Sequence, residues 1–362
     1  MTGRLVVLNV AYPLAPVGSD AVGGAEQVLS RLDVALTRAG HRSIVVACAG
    51  SAASGALVAT RRPEGELTED RRRAAREQHR AAIEGVLRRE PVDVVHLHGI
   101  DFAAYLPRPD VPVLATLHLP PAWYPPDAFR PARPRTYLNC VSEAQRRTCP
   151  AGSTSVPVIE NGVPHELFAA RHAKRRFALA LGRICPEKGF HIALDASARA
   201  DIPLLLGGEV FRYEAHERYF RDEIEPRLGD GRRFLGPVGF ERKRRLISAA
   251  HCLLVPSLAP ETSSLVAMEA LACGTPVVAY PSGALAEIVE HGRTGFLVRD
   301  ECEMAGAIAS VDRIDPEACR SSARGRFSAE RMARQYLELY AALAAGDDPS
   351  PAAMRREAAR VR

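Results

Sequence analysis

The residues best placed to do chemistry lie in one segment, Glu261-Thr-Ser-Ser-Leu-Val-Ala-Met-Glu269-Ala-Leu-Ala-Cys-Gly-Thr-Pro276, just beyond an apolar run ending at Val255. A helix starting near Ser263 or Ser264 leaves unpaired N–H groups at its first turn, and with the helix dipole they form an anion site. Helix running from Glu261 to Glu269 would separate the two carboxylates by on the order of 12 Å, at ~1.5 Å per residue. That span fits one carboxylate at each end of an extended nucleotide-sugar, with the diphosphate at the helix start. Carboxylates accept directional hydrogen bonds from sugar hydroxyls. The spacing alone equally describes an exposed helix glutamate and a loop charge.

A second segment, Gly182-Arg183-Ile-Cys-Pro-Glu187-Lys188-Gly189, joins a strand pattern to a helix pattern. The planar fork of Arg183 and the point charge of Lys188 suit a leaving diphosphate. The competing assignment is surface pairing with Glu187 or Asp195. Lysine occurs only at Lys174, Lys188 and Lys243, against 45 arginines, which weighs toward a specific use of Lys188. Gly23-Gly24 opens a helix and lets backbone N–H groups approach a phosphate or an acceptor, or is simply a turn. His118 and His98 close strand patterns in the first half, where ligand-facing residues of such sheets are expected. Trp123, the single tryptophan, lies in a proline-stiffened loop as a stacking platform for a sugar or apolar acceptor, or as an anchor into the core.

The elements that must position these residues alternate, strand then helix, which predicts parallel sheets built from βαβ units. Strands are expected over 5–11, 43–48, 93–98, 113–117, 136–140 and 155–159, then over 177–181, 203–206, 233–235, 252–255, 276–279 and 295–298. Helices are expected over 25–39, closed by Gly40, and over 190–200, 215–228, 241–250, 265–272, 285–291 and 329–344. The stretch 61–90 mixes nine arginines with seven carboxylates and reads as a solvated surface helix rather than a membrane-facing one. Turn residues at 161–164 followed by a basic stretch mark a boundary. The expected division is 1–165 and 166–328, two Rossmann-like doubly wound domains facing a central cleft, with 329–345 a C-terminal helix open to packing back on the first domain and 346–362 a flexible tail.

At 362 residues the chain has room for two cores, and its net charge of +5 suits anionic ligands without arguing for nucleic acid. G-x-G-x-x-G and G-x-x-x-x-G-K-[ST] are absent, which counts against a nicotinamide enzyme and a P-loop NTPase. There is no C-x-x-C and no Asp-x-Asp, so neither a metal nor another cofactor is expected, and the diphosphate charge falls to Arg183, Lys188 and the helix start. Scattered cysteines read as reduced thiols, and no signal peptide or run of ~20 apolar residues is present. The expected location is the cytoplasm, with peripheral contact at the inner face of the membrane left open.

The Glu261–Glu269 segment running into Glu-Ala-Leu-Ala-Cys-Gly-Thr-Pro-Val-Val resembles the donor-binding signature of family 4 glycosyltransferases, retaining enzymes of the GT-B fold. Further pieces stand in the family's order: Gly23-Gly24-Ala25-Glu26, His96-Leu-His98-Gly99, Thr116-Leu-His118, Asn161-Gly162-Val163, Gly182-Arg183 with Glu187-Lys188-Gly189, and Glu287-Ile-Val with Gly292 and Thr294-Gly295. The resemblance implies metal-independent transfer of a sugar, of hexosyl type, from a UDP- or GDP-type donor to a hydroxyl of a sugar, lipid-linked or small-molecule acceptor in carbohydrate biosynthesis. It implies that Glu261 holds sugar hydroxyls and that Glu269 binds ribose. Arg183, Lys188 and the amides of Ser264 and Leu265 stabilise the departing diphosphate, and His118 lines the reacting sugar. Ser263, Asn161 and Gly182 are implied on the donor side. Gly23, Gly24 and His98 are implied in an acceptor or diphosphate loop, with which Trp123 is grouped by its position. The family usually has glycine where this chain has Ser264, which keeps the amide but narrows the sugar pocket. Two other readings stay open: a nucleotide-sugar 2-epimerase on the same fold, and a catalytically silent nucleotide-sugar-binding subunit.

Overall fold

The structure is a computed structural model that describes residues 3–65, 67–153, 157–169, 171–347 and 349. The chain folds as two α/β units, residues 1–160 with 330–362, and residues 161–329. The first boundary thus falls at 160/161 rather than 165/166. The second crossing lies beside it: Val163 donates its N–H to Phe327 O at 2.8 Å, and Ala329 N–H returns to Val163 O at 3.0 Å.

In the first unit six parallel strands, β1 (Val6–Val10), β2 (Arg42–Cys48), β3 (Ala56–Thr60), β4 (Val94–Leu97), β5 (Val113–Leu117) and β6 (Thr136–Cys140), lie in the order β3-β2-β1-β4-β5-β6. β4 and β5 are buried along their whole length, which is why they read as unbroken apolar runs. β3 is an edge strand with mostly exposed residues and was not anticipated. The strand expected over 155–159 is not formed at 157–159, while 155 and 156 lie outside the described residues. Helix Gly24–Arg38 buries Val28, Leu29, Leu32 and Leu36, the stripe its spacing predicts. Helix Glu69–Arg89 lays Ala75, His79, Ile83 and Val86 on the unit and keeps its charges in solvent.

The second unit repeats the order in mirror listing. β7 (Ala178–Leu181), β8 (Leu204–Gly207), β9 (Arg232–Phe234), β10 (Cys252–Val255), β11 (Val277–Ala279) and β12 (Gly295–Leu297) run β12-β11-β10-β7-β8-β9, all parallel. Apolar cores fill both faces of this sheet. Strand order reverses between β1 and β4 in one unit and between β7 and β10 in the other. Ligands of open α/β sheets bind beyond the carboxyl ends of such strands. The helix expected over 215–228 is broken into Glu214–Tyr219, a π-helical turn Phe220–Ile224 and a 3-10 turn Glu225–Arg227, because Pro226 supplies no N–H. Helices Glu301–Ile308 and Pro316–Arg326 were not anticipated, although Asp300 and Asp315 cap them.

The last helix, Ala329–Ala345, carries its tyrosines onto the first unit's sheet. Tyr340 Oη lies 2.6 Å from His96 Nδ1, His96 Nε2 lies 2.7 Å from Thr116 Oγ1, and Asn139 Nδ2 donates to Tyr336 Oη at 2.8 Å. All five side chains are buried. Tyr336→Phe should therefore cost about 1–3 kcal/mol, the penalty for stranding a buried amide donor, read as a lowered denaturation midpoint. A midpoint equal to wild type would mean that water replaces the hydroxyl. The expected tail falls largely at 348 and 350–362, outside the described residues. Among the described residues no helix is long and apolar enough to cross a membrane.

Candidate functional site

The reversal between β7 and β10 in the second unit is flanked by two loops that hold each other. After β7 the chain runs through Gly182 and Arg183 into a 3-10 turn, Pro186–Lys188, and Gly189 (φ 62°) starts the helix Phe190–Arg199. A Cβ at Gly189 would stand 2.3 Å from Pro256 O, so only glycine lets the loops meet here. Leu258 and Ala259 donate their N–H groups to Glu187 O at 2.8 and 3.2 Å.

Across this contact Lys188 Nζ donates to Glu261 Oε1 at 2.5 Å, and Ser257 Oγ donates to the same oxygen at 2.5 Å. The backbone of Glu261 bridges to Gly283, and its carbonyl accepts from Ala284 N–H at 2.7 Å. Glu261 is therefore not a mobile loop charge. Its side chain is 11% exposed and fixed from several sides. Residues 261–264 are not helical. The helix is Leu265–Ala272, so the length estimate that assumed helix from Glu261 onward does not apply.

Arg183 is half-buried, and among the described residues its guanidinium has no hydrogen-bond or ion-pair partner. Of the two surface partners considered, Asp195 is held by Arg227 at 3.1 Å, while the Glu187 carboxylate interacts electrostatically with Arg183 without a close ion pair. Ser264 occupies the N-cap position of Leu265–Ala272 without a side-chain cap, and the amides of Ser264, Leu265 and Val266 have no acceptor among the described residues. Ser263 Oγ is also buried without a partner. A guanidinium that makes no hydrogen bond among the described residues and a set of orphan donors thus flank one strand-order reversal, electrostatics that suit an anion.

Glu269 departs from expectation. It is 1% exposed, and its Oε1 accepts from Lys243 Nζ at 2.9 Å. A ribose hydroxyl reaching this carboxylate would exchange with the lysine. Lys243, on helix Phe240–Ala249, escaped the sequence reading, although the scarcity of lysine that singled out Lys188 applied to it equally. The third lysine, Lys174, donates to Ala250 O at 3.0 Å, and burial pushes its ammonium down to about 8.

In the first unit His98 follows β4 and His118 follows β5. Their rings stack at 5.3 Å with His98 Nδ1 3.0 Å from His118 Nε2. Desolvation pushes His118 down to about 4 and His98 well below its usual range, so both rings are neutral at pH 7. His98 Nε2 is buried without a partner. The loop after His118 is anchored by Tyr124, whose hydroxyl accepts the N–H groups of His118 and Leu119, while Trp123 is 45% exposed. Trp123 is thus not the core anchor. Gln145, also unforeseen, donates to Leu117 O and Leu119 O at 2.8 and 2.9 Å. At Gly23 the space expected for a phosphate is taken by Glu26, whose Oε2 would lie 1.9 Å from a Cβ there, and Gly24 begins the helix. That carboxylate at the helix start adds a negative charge beside the Gly23-Gly24 turn. Asn161 is buried at the start of the second unit with Oδ1 unpartnered, apart from the β7–β10 loops in sequence.

Residues 22–168 match a family model described as Glycosyltransferase Family 4, and residues 175–311 match one described as Glycosyl transferases group 1. A D-inositol 3-phosphate glycosyltransferase of Corynebacterium urealyticum is 32% identical over 54% of this chain and 51% of its own length. The chain thus spans about half of that relative. A glycogen synthase of Mycobacterium tuberculosis is 28% identical over 96% of this chain and 97% of its own length. The crystal structure of AviGT4, a glycosyltransferase involved in avilamycin A biosynthesis, superposes with a TM-score of 0.70 at 26% identity, covering 95% of this chain and 99% of that one. With both halves matched in order and the two-sheet architecture shared, the chain belongs to the family 4-type glycosyltransferases of the GT-B fold.

Proposed function

We propose that the protein moves a glycosyl group from a nucleoside-diphosphate-sugar to a hydroxyl-bearing acceptor, with no metal on the diphosphate. The observation that carries this reading is the unpaired Arg183 beside Lys188 and the orphan amides of Ser264 and Leu265, at the strand-order reversal of the second unit. As the glycosidic C–O bond breaks, negative charge grows on the β-phosphate. Fixed donors already aimed there stabilise it without reorganisation. Glu261, oriented by Lys188 and Ser257, accepts hydrogen bonds from sugar hydroxyls and faces the positive charge that develops on the ring. Glu269 takes the ribose by exchange with Lys243. The neutral His98–His118 pair offers hydrogen bonds to hydroxyls, and exposed Trp123 a stacking face for an acceptor. Retention of configuration follows the family resemblance. Eight free cysteines support a reducing compartment, the cytoplasm.

The test is thermal unfolding with UDP, GDP, ADP, dTDP and NAD⁺. A ligand at 100 times its dissociation constant adds about 2.7 kcal/mol, a shift of several degrees. One nucleoside diphosphate should stabilise the wild type, less so Glu269→Gln. Stabilisation by NAD⁺ alone, or by none of these, would remove the donor site.

A further inference from the structure

We infer that the second unit carries a transition-metal site of zinc type built from Cys185, Glu187 and His216. One ligand atom of each lies within 4.8 Å of the other two. Cys185 is buried just before the 3-10 turn that contains Glu187, and His216 approaches from the short helix Glu214–Tyr219. Neither ring nitrogen of His216 has a hydrogen-bond partner among the described residues, and its Nδ1 is buried. Phe211 and Tyr213 pack around that ring, with centroids at 6.3 and 5.2 Å. The Cys185 thiol and the Glu187 carboxylate share a hydrogen bond, and the imidazole beside them has none, so a metal that takes all three would satisfy the histidine.

The donor set selects the ion. Thiolate, imidazole and carboxylate together suit Zn²⁺ and exclude Mg²⁺ and Ca²⁺, which take oxygen ligands. With metal–ligand distances of ~2.0–2.3 Å, tetrahedral ligand edges are about 3.3–3.7 Å, so side-chain rotation of about an ångström closes the set. Coordination displaces the thiol proton to solvent. The two anionic ligands then neutralise the ion, and water completes the fourth position.

The site does not depend on the transferase reading. Its ligands Cys185 and Glu187 lie in the loop that carries Arg183 and Lys188, so the metal would clamp that loop to the Glu214–Tyr219 helix.

Full-length protein stripped by chelator would be titrated with Co²⁺, then with Zn²⁺ against a chromogenic chelator. One equivalent of Co²⁺ should give a thiolate-to-metal charge-transfer band and tetrahedral d–d bands, both erased by Zn²⁺. Cys185→Ser should abolish the charge-transfer band, and His216→Ala should weaken binding by roughly tenfold or more. Circular dichroism checks that each variant folds, and His216, on a short surface helix, covers the case in which Cys185→Ser does not. Absence of binding, or a cobalt spectrum unchanged by both substitutions, overturns the site. The nucleotide shift is a separate readout, so either proposal can fail alone.

Discussion

Arg183→Ala should lower glycosyl transfer by roughly 10²–10³-fold while leaving the folded chain as stable as wild type. The asymmetry follows from its surroundings: among the described residues the guanidinium makes no hydrogen bond and no close ion pair, and exposed Glu187, which feels its charge, keeps access to water, so removing the arginine strands no buried group. On the proposed function, its worth appears only when negative charge develops on a leaving phosphate. Lys188→Ala should lose activity on the same scale but also cost roughly 1–3 kcal/mol of stability, since it leaves Glu261 with one fewer donor. The stability cost stays below that of a fully buried pair because the Lys188 side chain is 27% exposed. Turnover would be followed with the nucleotide-sugar whose diphosphate shifts the melting curve, alongside denaturant unfolding. Equal stability losses in both variants, or an active Arg183→Ala, would refute this division of roles.

Acid should strip several kcal/mol from the first unit between pH 6.5 and 4. Four of its histidines, His79, His96, His98 and His118, are held neutral by burial, with His79 and His118 pushed down to about 4 and the other two well below the usual range. A histidine whose folded pKa lies below its unfolded value binds its proton first in the unfolded chain. Its contribution is complete above about pH 6.5 and is lost as pH falls toward the folded pKa, at about 1.4 kcal/mol per unit for each ring. Asp101, whose carboxyl burial pushes upward, works the other way with a single proton. Urea titrations at pH 7.5, 6, 5 and 4.5 would give this slope directly. A flat profile from 7.5 to 5 would mean that these rings are hydrated.

The strands that could be read from sequence are those buried on both faces, such as β4, β5 and β10, because burial demands the apolar run that reveals them. β3 lies at an edge and keeps most of its residues exposed, so its composition carries no such demand. The loop positions of Arg183, Lys188 and Glu261 were legible because each follows a strand revealed by its apolar run. The partner of Glu269 was not. Lys243 lies 26 residues away, and only the packing of two helices brings the charges together. That Glu26, three residues on, lies in the space that Gly23 opens was likewise not legible from the glycine pair alone. The Asp300 and Asp315 caps were visible signals that went unused.

The tyrosines of the last helix carry a consequence for how the protein is made. A ribosome releases the β1–β6 segment first, yet His96, Thr116 and Asn139 meet Tyr336 and Tyr340 only after the whole of 161–329 has been synthesised. At ~5–20 residues per second that interval is on the order of ten seconds or more. During it the nascent first unit holds a buried polar cluster with its closing hydroxyls missing, while the second unit, continuous in sequence, can complete itself. Translation order and folding order are therefore reversed: the half made first is finished last.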